Sequence, residues 1–106
     1  MENKSTNIND AVIGKYCIIR GRDFGVFAGT VEEVDGDRVL LKDARRLWYW
    51  SGAASLSQLA LEGVKCPEGC KFTVKVELIL LLGVIEIIPA TQQAMSNISE
   101  VSVWRR

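Results

Sequence analysis

Histidine is absent from this 106-residue chain. Without it no Ser-His-Asp or Cys-His nucleophile can be assembled, and the imidazole that completes many zinc sites is missing. Carboxylates remain, but no pair stands near a second reacting group. "GRDFG" (21–25) is glycine-flanked yet lacks the spacing of a phosphate-cradling P-loop. The chain therefore reads as a binding protein and not an enzyme, with no cofactor and no metal expected. Net charge is missing too: 13 Lys+Arg balance 13 Asp+Glu. That argues against a coat for long nucleic acid, which works by neutralising many phosphates, while leaving a local basic site open.

Long apolar runs and cysteines are equally scarce. The run "LILLLGVIEIIPA" (78–90) falls short of the ~20 residues a spanning helix needs and contains Glu86, so it reads as a buried strand with no membrane role. The three cysteines are Cys17, Cys66 and Cys70. An odd count behind a polar start, "MENKSTNIND", favours reduced thiols and a cytosolic setting, the cytosol of a host cell. Cys66 and Cys70 flank the turn in "CPEGC", and three intervening residues are a poor zinc spacing; they read as plain thiols, with a local disulfide as the alternative.

What is present is one domain's worth of periodic structure. Residues 1–10 read as a flexible polar tail and 11–106 as a single ligand-binding domain. "GKYCIIRG" (14–21) and "GVFAGTVEEVDG" (25–36) have the β-branched, glycine-bounded character of strands, with Gly29 at a bulge or a close approach. Asp35-Gly36 signals a hairpin into "RVLLKDA", and "RRLWYW" continues that strand. "SLSQLALEGV" is a helix with Ser55 as cap, Gln58 completing a capping box and Gly63 ending it. "FTVKVEL" alternates, placing Phe72, Val74 and Val76 on one face. A further strand follows, with a bulge at Gly83 and a stop at Pro89. Thr91 then caps a second helix whose Ala94, Met95, Ile98 and Val101 face inward. The expected fold class is α+β: an antiparallel sheet of about five or six strands with two short helices.

One stretch stands out. "ARRLWYWS" (44–51) sets two arginines among three of the chain's few aromatics (three Trp, two Tyr, three Phe). Strand alternation puts Arg46, Trp48 and Trp50 on one face and Arg45, Leu47 and Tyr49 on the other. Either one face packs the core while its arginine snorkels to the edge, or the stretch forms a stacking and charge site: ring faces stack a base and an arginine fork pairs with phosphate. Arg20, Arg22, Lys71 and the terminal Trp104, Arg105 and Arg106 are further candidate cations with one more ring.

The segments "CIIRGRDFGVFAGTVEEVDGDRVLLKDARRLWYWSGAASLSQLALEGV" and "VIEIIPATQQA" resemble a family of small phage-encoded proteins, identified as the first family of Thoeris anti-defence proteins. The likeness covers roughly residues 16–92, and "ARRLWYWSGAASLSQLA" is its most specific part. The resemblance implies an anti-defence sponge. Such a protein sequesters cyclic ADP-ribose isomers, and cyclic oligonucleotides at a separate site, without cleaving them. It also implies a homo-oligomer, a dimer or hexamer, with ligand sites shared between subunits. The motif carries over Arg45, Arg46, Trp48 and Trp50; Phe72, Asn97, Arg105 and Arg106 are candidates for a partner subunit's contribution, and Arg20 for a further cation. The competing expectation is a small protein–protein interaction module, a phage inhibitor or a virion assembly part. A third is a single-strand nucleic-acid binder, against which the balanced charge counts.

Overall fold

A computed structural model describes residues 7–105. Six antiparallel strands and two α-helices make an α+β fold. In chain order they are β1 (Tyr16–Gly21), β2 (Val26–Asp35), β3 (Arg38–Tyr49), α1 (Leu56–Glu62), β4 (Lys71–Phe72), β5 (Val76–Leu82), β6 (Val84–Pro89) and α2 (Gln92–Glu100). Of the segment read as a tail, Ile8–Ala11 forms a short 3-10 turn whose first amides are capped by the Asn7 side chain. Residues 1–6 lie outside the described part of the chain.

The sheet runs β4-β3-β2-β1-β6, and β5 lies along the first half of β3. β5 therefore sits at one edge and β6 at the other, yet only Gly83 separates them in sequence. The edges must approach each other at that point, so the sheet rolls into a partly closed barrel. Backbone bonds from Arg22 N to Gly83 O (2.8 Å) and from Val84 N to Asp37 O (2.9 Å) pin the corner. Gly83 takes φ +82, a left-handed conformation that suits glycine. Inside the roll lie Cys17, Ile19, Phe27, Val31, Val39, Leu41, Ala44, Leu81 and Val84. Outside, a second core of Ile18, Ala28, Leu47, Phe72 and Val64 is covered by Leu59 and Ala60 of α1 and Ala94 and Ile98 of α2.

The two helices begin as their capping residues predict. Ser55 Oγ accepts from Gln58 N (3.1 Å), and the Gln58 side chain reaches back to accept from Ala54 N (2.9 Å). Thr91 Oγ1 accepts from Ala94 N (3.0 Å) and donates to Leu61 O, which ties the start of α2 to the end of α1.

The centre of the sheet is organised by a bulge. β2 and β3 pair at Thr30↔Lys42 and again at Ala28↔Arg45, so β3 carries one extra residue. That residue, Asp43, has φ +51, a left-handed conformation that aspartate tolerates better than most side chains. Gly29 lies opposite. A Cβ there would sit 2.9 Å from Leu41 Cγ and 2.9 Å from Lys42 O, so glycine is required by close approach. The bulge shifts the strand's alternation by one. Val39 and Leu41 point into the roll; without the extra residue Arg45 would follow them. With it, Ala44 takes the inner place and Arg45 turns out beneath the helices.

Two sequence expectations are corrected. Phe72 does not share an alternating strand face with Val74 and Val76: β4 ends at Phe72, which is buried, while Val74 and Val76 are exposed. The apolar run 78–90 is not a fully buried strand either. Leu81 and Val84 are buried, but Leu78, Leu80 and Leu82 face solvent.

Cys17 is fully buried inside the roll and Tyr16 is mostly enclosed beside it; loss of hydration pushes their pKa values up to about 11 and about 12. Both groups are neutral when protonated, and folding holds the proton more tightly than the unfolded chain does. Their contribution to stability is thus complete below about pH 8.5, the ordinary thiol value. It is lost as pH climbs through about 11 and 12. Thermal melts are expected to show a falling midpoint across that alkaline window, with Cys17→Ala removing the lower-pH part of the decline.

Candidate functional site

Beyond the barrel's open end β3 continues as Arg46–Tyr49, and it meets the loop between β1 and β2. Together they line a cleft of about 550 Å³ formed by Asp23, Phe24, Gly25, Val26, Arg46, Leu47, Trp48 and Trp50. The bulge at Asp43 sets this up, because it decides which face of β3 Arg46 takes and leaves Arg45 on the other. Arg46 pairs across from Phe27, and its guanidinium lies 4.4 Å from the centre of the Phe27 ring. Its Nη1 donates to Phe24 O at 2.7 Å. Arginine carries five N–H donors, and among the described residues the side chain uses one of them in this bond. The group is thus fixed in position with donors left over. Trp48 is 63% exposed, whereas Trp50 is half-buried against the helix-side core.

Arg45, the other arginine of the pair, is elsewhere and does something else. It is 3% exposed. Its Nε donates to Thr73 O (2.8 Å), Nη1 to Ile98 O (2.9 Å) and Nη2 to Val101 O, with a longer contact to Phe72 O. The guanidinium caps the C-terminal carbonyls of α2, where the helix dipole favours a cation. It also clamps the chain that leaves β4. Burial lowers its pKa, and the nearby Tyr16 opposes that shift. These bonds hold Arg45 in a structural place away from the Trp48 cleft, beside a smaller hollow of about 210 Å³ that it lines with Tyr16, Asp43 and Lys75.

The remaining expected contacts separate in the same way. Phe72 is wholly buried and belongs to the core beneath the helices. Asn97 uses both ends of its amide on one residue, accepting from Val64 N (2.7 Å) and donating to Val64 O (2.9 Å), which fixes the loop after α1. Phe72 has no exposed surface to offer a ligand, Asn97 spends one donor and one acceptor on Val64, and neither lines the cleft. Asn97→Ala is expected to cost about 1–3 kcal/mol by orphaning those two backbone groups, read as a lowered melting midpoint. Arg20 is exposed but bonded to Glu86 (2.9 Å) across β1 and β6, outside the cleft lining. Arg105 is exposed and is not among the residues lining the cleft, and Arg106 lies outside the described residues. Trp104 stands over Lys71 (5.6 Å) and borders a separate hollow of about 380 Å³ with Glu68, Cys70 and Glu100.

Sequence reasoning missed the other wall of the cleft. Asp23, Phe24 and Gly25 were visible only as a turn. The available signal was an aromatic residue placed inside a charged, glycine-bounded loop. The three cysteines are unbonded thiols. No group of side chains suited to holding a metal ion occurs among the described residues.

The fold and the cleft together define the class: a small α+β domain with a rolled sheet and an aromatic-and-arginine cleft at its open end. The family follows from comparison with known proteins. A family described as a domain of unknown function (DUF6948) matches residues 14–98, and the chain belongs to it. No curated protein matches. No solved structure matches either.

Proposed function

We propose that this protein is a phage anti-defence sponge that binds cyclic ADP-ribose-type signals and holds them without cleaving them. The observation that carries the reading is the grouping of Arg46, Trp48 and Trp50 in one cleft of about 550 Å³, a volume within the range of small-molecule sites. Such a ligand presents a base, a pyrophosphate and ribose hydroxyls. Trp48 offers an exposed ring face to the base. Arg46, already held by Phe24 and Phe27, offers its remaining N–H groups to phosphate. Asp23 at the rim can accept from ribose hydroxyls. Sequestration needs affinity and no bond-breaking, which suits a chain without histidine. The resemblance of the 44–51 stretch to the anti-defence family supports the same reading, and with it action in the host cytosol.

The test is retention. Protein incubated with cyclic ADP-ribose isomers, and in a parallel arm with cyclic oligonucleotides, is washed and heat-denatured, and the released nucleotide is identified by mass spectrometry. Release of intact isomer supports the reading; recovery of a cleaved product, or of nothing, overturns it.

A further inference from the structure

The hollow of about 210 Å³ beside Arg45 shares no lining residue with the Trp48 cleft. Arg45 is its buried wall. The side chain is 3% exposed, and each of its bonds goes to a backbone carbonyl. No ion pair among the described residues includes it. The end of α2 answers about half of an elementary charge, so the buried cation is only partly compensated. A buried charge is costly unless it is paired. Lys75 lines the same hollow, and Asp43 is the one acidic residue in that lining. The hollow thus sets two cations against one carboxylate. Tyr16 and Thr30 add hydroxyls to its wall. Burial pushes the Tyr16 phenol up to about 12, so it is protonated and can donate at neutral pH.

We propose that this hollow binds a small carboxylate that carries a hydrogen-bond donor of its own, a hydroxy acid or an amino acid. The carboxylate meets the Lys75 ammonium and the Tyr16 and Thr30 hydroxyls, in the field of Arg45. Arg45 acts mainly by its charge, since its fork already holds the chain after β4 and the end of α2. The ligand's own donor turns to Asp43, whose carboxylate accepts it. Asp43 also sets the specificity: it repels a second negative charge, so a dianion such as phosphate is disfavoured. The volume lies below the range of sites for larger ligands, which leaves room for an acid of a few heavy atoms and not for a dinucleotide. The site stands whether or not the Trp48 cleft binds a nucleotide.

Amide-resolved NMR of the full chain tests it. The protein is titrated with glycolate, glycine, acetate and inorganic phosphate in slightly alkaline buffer, where phosphate is mostly a dianion. Glycolate or glycine is expected to give saturable millimolar shifts at the amides of Thr30, Asp43, Arg45 and Ser99, with acetate weaker and phosphate weakest. Lys75 is exposed, so Lys75→Gln is expected to melt as the wild type does and to bind at least about fivefold more weakly. Asp43→Asn keeps a side chain that tolerates the left-handed backbone. It is expected to reduce the preference for glycolate over phosphate by at least about threefold. Should that variant fold poorly, Lys75→Gln decides. Shifts that never saturate overturn the proposal, as does binding indifferent to Lys75→Gln. So do phosphate binding as tight as that of glycolate and shifts confined to Arg46 and Trp48.

Discussion

Arg45→Ala is expected to lower stability by about 2–6 kcal/mol, because it leaves two buried carbonyls without a donor at about 1–3 kcal/mol each. In a domain of this size each kcal/mol moves the melting midpoint by about 4–8 °C, so the variant is expected to melt far below the wild type or to be recovered unfolded. The reason lies in what Arg45 joins. Its guanidinium is bonded to carbonyls of Thr73, Ile98 and Val101, and so to the chain after β4 and to the end of α2. Truncation leaves Thr73 O and Val101 O without this donor, while Ile98 O keeps the Val101 N–H, and it removes the cation that answers the helix terminus. Arg45→Lys keeps the charge but not the fork, and one ammonium cannot span both segments. It is expected to recover only a minor part of the loss. Denaturant unfolding of the two variants, compared with wild type, measures both effects. An Arg45→Ala protein as stable as the wild type would show that the clamp is not structural.

Trp48→Ala and Arg46→Ala are expected to act in the opposite way, weakening ligand binding while sparing the fold. Stacking of a base on an aromatic ring contributes about 1–3 kcal/mol, so loss of Trp48 is expected to raise Kd for a cyclic ADP-ribose isomer about 5- to 150-fold. Trp48 is mostly exposed, and its removal opens no cavity. Arg46→Ala removes a charged contact to phosphate and is expected to weaken binding by a similar factor, with a modest stability loss from its bond to Phe24 O and its stacking on Phe27. Charge makes the Arg46 effect salt-sensitive, whereas the Trp48 effect persists at high salt. Isothermal titration at low and high ionic strength, beside a thermal melt of each variant, separates the two contributions.

The contrast between neighbouring arginines shows what the sequence made legible. Alternation alone divided 45–50 into two classes and put Arg46 with Trp48 and Trp50. The structure separates Arg46 from buried Arg45 and Leu47, but the register shifts again between Leu47 and Tyr49, so Tyr49 is exposed and Trp50 packs against the helix-side core beside Leu47. Alternation has no sign, however. Which class faces the helices depends on the extra residue at Asp43, and a left-handed aspartate in a polar stretch carries no distinctive pattern. The capping residues Ser55, Gln58 and Thr91 were readable because a cap is a local interaction, satisfied within a few positions. Asn97 was not, because its partner, Val64, is distant in sequence and the same amide suits a ligand equally well. The apolar run from Leu78 was readable as a strand but not as one with a bare face. Hydrophobicity says that a surface will be covered, not that the same chain will cover it. The loop wall of the cleft escaped for a related reason: Asp23 and Phe24 meet Arg46 only because β1, β2 and β3 pair in this register.

The central claim is that the Arg46–Trp48–Trp50 cleft captures a cyclic nucleotide signal intact. The most direct measurement is mass spectrometry of the small molecules that copurify with the protein from cells in which TIR-domain signalling is active, with Trp48→Ala purified in parallel. The account predicts an uncleaved cyclic ADP-ribose isomer, near stoichiometric with the wild-type chain and strongly depleted from Trp48→Ala. No copurifying nucleotide on the wild type, or equal amounts on both proteins, would contradict it.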